Sequence, residues 1–339
     1  MAISIKEIAK AAGVSTATVS RVINKSPKLS QKTRDKVLQT MKEMNYVPNS
    51  LARGLSNQKA LNVALLINIE DASSFHNPFF YEVMHGIEMA VYKRGLSLII
   101  ASSRGDDKVE IIEWLMNEKR MQGIIIPSSL ADEKLLELLR ERNFPFVVIG
   151  KYEEDGKPVS WVDINNQQGG DQAVSHLVEN GYRKIAFICG ELNKDFNRDR
   201  LEGYKRAMAR HCDDLPSAWI AETDGTKQEA YQAVKELLSL DQPPEAIICG
   251  DNILSFGAMK AAQELGVEIP LELGLVSFDN YPLATLVEPS LTSIHIDVFQ
   301  MGEMAANSLL NLIDNPDASQ QQMLISTNVE VRESSIRRA

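Results

Sequence analysis

The sequence predicts an α/β protein built as a small three-helix head, a short hinge, and a large region of two doubly wound halves. Three observations carry this. Residues 1–60 hold 11 Lys and Arg against 3 Asp and Glu, a net of +8, while the other 279 residues carry a net of −18. Helical periodicity before residue 46 comes in short segments bounded by capping residues. From about residue 61, short apolar runs alternate with helical stretches, the order that gives parallel sheets covered by helices. The expected boundaries are a head at 1–46, a hinge and linker at 47–60, and a large domain at 61–339.

In the head, Ile5, Ile8, Ala9 and Ala12 fall on one helical face. Ser4 and Glu7 have the spacing of a capping box, and Gly13 stands where a chain leaving a helix turns left-handed. Ser15 caps a second helix, from Thr16 to about Asn24, that is buried through Val19, Val22 and Ile23. A third runs from about Gln31 to Asn45, capped by Ser30 and buried through Val37, Leu38, Met41 and Met44. Two short helices joined by a tight glycine turn, with a third behind them, make a helix-turn-helix unit or a small bundle of another kind. The outward face of the second helix is small and donor-rich. Its start suits a DNA major groove, where Arg21 can take guanine bidentately.

Past Pro48, about two helical turns are expected before Ser56. Such a helix is marginal in water, and Gly54 weakens it further, so it is expected to form only when docked. Leu51 and Leu55 share one face of it and need a partner, unless Leu55 is a linker leucine resting on the core.

In the large region, expected strands are 62–69, 97–102, 123–127, 146–150, 161–163, 184–189, 218–222, 246–249, 273–278 and 292–295. Helices at 81–94, 108–119, 133–142, 167–180, 200–209, 227–240, 255–265 and 298–314 fill the gaps. Most of the strands are continuous apolar runs, as strands buried on both faces should be.

The remaining signals exclude whole classes. With 44% hydrophobic and 24% charged residues the chain is an ordinary globular protein. It has no apolar run of about 18 residues or more, so no membrane span is expected. Glu7 and the lack of an apolar leader argue against a secretory signal, and so for a cytoplasmic protein. Cys189, Cys212 and Cys249 lack CxxC spacing, which fits a reducing compartment and neither a disulfide framework nor a zinc site. No phosphate-loop, dinucleotide, HExxH or GxSxG motif occurs; Gly169-Gly170 opens a helix without the rest of such a pattern. The five histidines are scattered. No catalytic residue, metal or cofactor is expected.

The segments AGVSTATVSRVIN (12–24), LSQKTRDKV (29–37) and MNYVPNSLARGLS (44–56) resemble the DNA-binding head of the lactose/galactose repressor family of bacterial transcriptional regulators. The resemblance implies that Thr16, Ala17 and Arg21 read bases while Ser15, Thr18, Ser20 and Asn24 face phosphates. It implies that the hinge (Asn49, Ser50, Leu51, Leu55) docks with its dimer mate in the minor groove, with Leu55 as a wedge. For the large region it implies a periplasmic-binding-protein-like pair of lobes crossed near Val162, Pro289 and Gln320. Lobe one would be 61–161 and 290–320, lobe two 162–289 and 321–335.

The effector would lie in the cleft at the carboxyl ends of the strands. The resemblance places Asn77, Phe79, Phe80, Ser128, Arg198, Asp251 and Asp279 there, with Arg198 gripping the ligand. Lys151 adds a donor that serves the ligand or only snorkels. A donor fork, acceptor carboxylates and a stacking ring suit a sugar. Gly225 stands where relatives often carry an aromatic, so that wall would be open. FPFVVIGK, KIAFICG, DRLEGY and VSFD are similar to maltose-operon repressors of Gram-positive bacteria, which implies maltose or a maltodextrin.

No heptad tail follows Val329–Ser335, so a homodimer on a near-palindromic duplex is expected. A non-sugar ligand or a protein co-repressor such as a phosphocarrier stays open. So do two other classes: a sugar-processing enzyme using Asp251 and Asp279 as its acid pair, and a nucleoid-architectural protein.

Overall fold

The computed structural model describes residues 3–23, 29–46, 60–70, 78–154, 156–211 and 215–337. The chain divides into two compact units, Met1–Leu61 and Asn62–Ala339.

In the small unit, α1 (Ile5–Ala12), α2 (Thr16–Ile23) and α3 (Gln31–Glu43) enclose Ile8, Ala9, Ala12, Val19, Val22, Val37 and Met41. The capping box forms: the Glu7 amide donates to Ser4 Oγ at 3.4 Å, and the Ser4 amide donates to Glu7 Oε2 at 2.7 Å. Gly13 ends α1 at φ +63°. Ser30 accepts from the Thr33 amide at 3.3 Å and starts α3. Leu38, expected in the core, is 48% exposed. Val37 and Met41, four residues apart, occupy the inward face, and Leu38 lies about 100° further round the helix. The expected hinge helix, with Asn49, Ser50, Leu51 and Leu55, lies outside the described residues.

The large unit opens with β1 (Asn62–Asn68), α4 (Pro78–Lys93), β2 (Ser97–Ser103), α5 (Lys108–Asn117), β3 (Ile124–Pro127), α6 (Glu133–Glu141), β4 (Phe146–Ile149) and β5 (Trp161–Ile164). It continues with α7 (Asn166–Glu179), β6 (Ile185–Cys189), α8 (Asp195–Met208), β7 (Ile220–Glu222), α9 (Lys227–Leu238), β8 (Ala246–Cys249), α10 (Asn252–Leu265) and β9 (Gly274–Phe278). Last come β10 (Thr292–His295), α11 (Val298–Asp314), β11 (Gln322–Ile325) and β12 (Asn328–Glu330).

Two six-stranded sheets result, ordered β11-β5-β4-β3-β1-β2 and β12-β10-β9-β8-β6-β7. Every pairing is parallel except β10 with β12. The fully buried runs of β6, β8 and β9 are what a sheet covered on both faces requires.

The sheets place the connections between lobes a little later than expected. β5 and β11 pair in the first sheet and β10 in the second, so the chain crosses just after Ile164, His295 and Ile325. The expected crossings lay inside β5 (Val162) or ahead of β10 and β11 (Pro289, Gln320), whereas hydrogen-bond pairing keeps each whole strand in the lobe the chain is about to leave. β11 and β12 had no counterpart among the expected strands. They are short edge strands, exposed or half-buried except at Ile325, and only β11 holds a brief apolar run, Met323-Leu324-Ile325.

Candidate effector cleft and nucleic-acid interface

On α2 the side chains of Ser15, Thr16, Ala17 and Arg21 are exposed, while Thr18 and Ser20 are half-buried. Val19 and Val22 turn the opposite face into the core. Ser15 accepts from the Thr18 amide at 3.1 Å, so its hydroxyl acts first as a helix cap. The free amides at this helix start suit a phosphate. Asn24 lies outside the described residues.

In the large unit the residues that follow β5, β8 and β9 converge on Arg200, whose side chain is 7% exposed. Its Nε donates to Asn166 Oδ1 at 2.9 Å, Nη1 donates to the Gly250 carbonyl, and Nη2 lies 3.6 Å from Asp279 Oδ1. The guanidinium sits 4.4 Å from the ring centre of Phe278 and 5.1 Å from that of Phe196, a cation between two π faces.

Glycines make this geometry accessible. A Cβ on Gly203 would fall 2.1 Å from the Gln167 carbonyl oxygen, and one on Gly170 would fall 2.2 Å from that of Arg200. Only glycine at both positions lets α7 and α8 approach closely enough to set the arginine. The Gly169-Gly170 pair therefore belongs to the packing of this cradle, with Gly169 against the Phe278 ring.

Arg198 is elsewhere. Its side chain is 52% exposed, pairs with Asp195 and donates to the carbonyls of Leu192 and Asn193. On α8 the buried positions include Asn197, Arg200, Leu201, Tyr204, Ala207 and Met208, one face at helical spacing. Two residues on a helix turn the side chain by about 200°, which takes Arg198 off that face. Expected partners Asp251 and Asp279 thus meet Arg200 instead of Arg198. The spacing of Leu201, Tyr204, Ala207 and Met208 was the signal that could have found it.

Asp251 accepts from the Leu254 amide at 2.8 Å and caps α10. Asp279, at φ +69°, faces the arginine from the end of β9. Asp163, which the sequence reasoning missed, joins them from the first lobe. It is buried and accepts from the amides of Ile164 at 2.7 Å and Lys151 at 3.0 Å. Burial pushes all three carboxyls up, Asp279 to about 6, while the positive charge of Arg200 pulls each one down. Three carboxylates around one guanidinium leave an acceptor-rich, negative site.

Phe79 and Phe80 stand half-buried at the start of α4, and Asn77 lies outside the described residues. Ser128 is half-buried at the end of β3, so close to Gly150 that a Cβ there would fall 2.3 Å from its Oγ. Lys151 follows on that rim, with its ammonium 3.3 Å from Glu153 Oε1. A Cβ on Gly225 would meet nothing within 4 Å, so that side is open.

Other chemistry is not assembled. Cys189 and Cys249 are free and buried, which pushes their thiols up to about 12. Among the described residues no His, Cys, Asp and Glu cluster fits a metal, and no helix is long and apolar enough to cross a membrane.

Residues 4–49 match the family described as bacterial regulatory proteins, lacI family, and residues 174–335 match a periplasmic binding protein-like domain. The HTH-type transcriptional repressor PurR of Aliivibrio fischeri strain MJ11 is 33% identical, covering 99% of each chain. The chain belongs to the lacI family. Among solved structures of this family, the lac repressor dimer bound to operator and the anti-inducer ONPF is similar with TM-score 0.82, 25% identity, and 99% and 100% of the two chains covered. A complex of the transcriptional regulator CelR with cellobiose gives TM-score 0.72 and 29% identity over 98% and 99% of the two chains. As a lacI-family member the protein is a ligand-controlled, DNA-binding transcriptional repressor.

Proposed function

We propose that this repressor controls sugar-utilisation genes and that the cleft around Arg200 takes a neutral sugar as its effector. The carrying observation is the buried Arg200 set among Asp163, Asp251 and Asp279 between two phenyl rings. Carboxylates and a guanidinium edge suit vicinal hydroxyls, and the partly exposed Phe196 ring suits an apolar sugar face, while the buried Phe278 ring backs the guanidinium. An anionic ligand would meet three carboxylates at close range. The open side at Gly225 leaves room for a second sugar unit, which favours maltose or a maltodextrin.

The protein works as a cytoplasmic homodimer on a near-palindromic duplex. Ile253, Leu283 and Leu286 are exposed in the second lobe, a surface for the partner lobe. Thr16, Ala17 and Arg21 read bases, Ser15, Thr18, Ser20 and Asn24 serve phosphates, and the segment carrying Asn49, Ser50, Leu51 and Leu55 enters the minor groove. Asp251 caps a helix and Asp279 faces an arginine, roles that favour binding over acid catalysis.

The test is calorimetric titration of the full chain with maltose, maltotriose, cellobiose and ribose, read beside operator binding. The expected result is one sugar that binds and shifts operator affinity, with both effects absent in Arg200→Ala. Sugar binding that survives Arg200→Ala unchanged would remove the cleft from the account.

A further inference from the structure

Tyr281 follows Asp279 and Asn280 beyond β9, at the mouth of the same cleft. It is 8% exposed, and its hydroxyl is among the few buried side-chain polar atoms of the described residues without a hydrogen-bond partner. Buried phenols ordinarily find one, because an unmet hydroxyl costs free energy. This hydroxyl lies in the field of Asp279, Arg200, Glu82 and Asp251. Glu82 belongs to α4 of the first lobe and the other three to the second, so the oxygen stands between lobes. Burial and the surrounding carboxylates hold the phenol protonated, above its usual range.

The cleft has few donors. Arg200 already directs Nε to Asn166 and Nη1 to Gly250, which leaves Nη2, 3.6 Å from Asp279, and the ammonium of Lys151 faces Glu153. A ligand hydroxyl that gives its proton to Asp279 still has an oxygen able to accept. A phenol that stays protonated supplies a second donor for it beside Nη2.

We propose that the Tyr281 hydroxyl is a specificity-determining contact to the effector, donating a hydrogen bond to a hydroxyl oxygen of the ligand beside Asp279. The proposal rests on the reading of this cleft as the sugar site. Because the bond is absent without ligand, the hydroxyl favours the liganded state selectively.

Tyr281→Phe removes that one oxygen and keeps the ring. The full chain and the variant are titrated with maltose, maltotriose, cellobiose and ribose, and their thermal midpoints are compared without sugar. The expected result is an affinity loss of about five- to tenfold with a midpoint unchanged or raised. Equal affinity of both proteins for a sugar that the native chain binds would overturn the contact. So would a lowered midpoint in the sugar-free variant, which would mean that the hydroxyl already has a partner. Glu82→Gln separates a lobe latch: if the phenylalanine change weakens binding only while Glu82 is present, the hydroxyl serves lobe closure and the contact is overturned. If the native chain binds none of the four sugars, the sugar reading falls, and the midpoint comparison still decides whether the hydroxyl is held open for a ligand.

Discussion

The head and the effector cleft are built from the same kinds of residue by opposite means. In the head each helix carries its own start signal: Ser4 with Glu7, Ser15 with Thr18, and Ser30 with Thr33. Its core is made by residues close in sequence. The cleft is assembled from β5, α8 and the ends of β8 and β9, so its members lie far apart in the chain. Local rules suffice for the first. The second depends on which residue of each element faces inward, and an error of two positions on a helix gives the wrong face.

The largest expected effect contrasts the two arginines of α8. Arg200→Ala leaves three carboxylates without their cation and should cost about 3–5 kcal/mol, measured by urea unfolding, besides abolishing ligand response. Arg198→Ala removes an exposed pair and should cost under about 1 kcal/mol, with ligand affinity intact. Reversal of that order would undo the assignment.

Next comes pH. Folding raises the Asp279 carboxyl to about 6, from an ordinary value of 3.8. The folded state therefore binds a proton more readily than the unfolded chain. The associated stability is complete below about pH 4 and is lost as pH rises through about 6. Its size is on the order of 3 kcal/mol. Unfolding of the native chain and of Asp279→Asn, compared at pH 4.5 and 7.5, should show the smaller pH slope in the variant.

Gly203→Ala forces a Cβ onto the Gln167 carbonyl and should cost about 1–3 kcal/mol while displacing Arg200, so ligand affinity falls with stability. In the head, Arg21→Ala should lose about 1–3 kcal/mol of discrimination at one base pair with the midpoint of thermal unfolding unchanged; selectivity that survives would remove Arg21 from base reading. Ser4→Ala should be the mildest, about 1 kcal/mol in the head alone, leaving sugar titrations untouched.

These contrasts follow what the sequence made legible. The α/β order, the strands from β1 to β10 and the caps of the head could be read from periodicity and capping residues, because those signals are local. Leu38 misled because an apolar side chain beside Val37 looks like core until the helix is turned. β11 and β12 were silent because they are only four and three residues long and only partly buried, too short for a strand pattern to stand out. In the cleft, Asp251 and Asp279 were placed by the family resemblance, which matched them at the ends of two apolar strands. Arg200, Asp163 and Tyr281 were not, since each needs the register of an element or the juxtaposition of two lobes. The helical spacing that places Arg200 was nonetheless present in Leu201, Tyr204, Ala207 and Met208.

The division of labour between the two units is tested most directly by DNA binding of a chain that begins at Asn62, set against the full chain at one salt concentration. The duplex is one selected by the full chain from a random pool. The shortened protein should retain its sugar titration and lose selective DNA binding altogether. Equal affinity and selectivity in the two proteins would contradict the assignment of DNA recognition to the head.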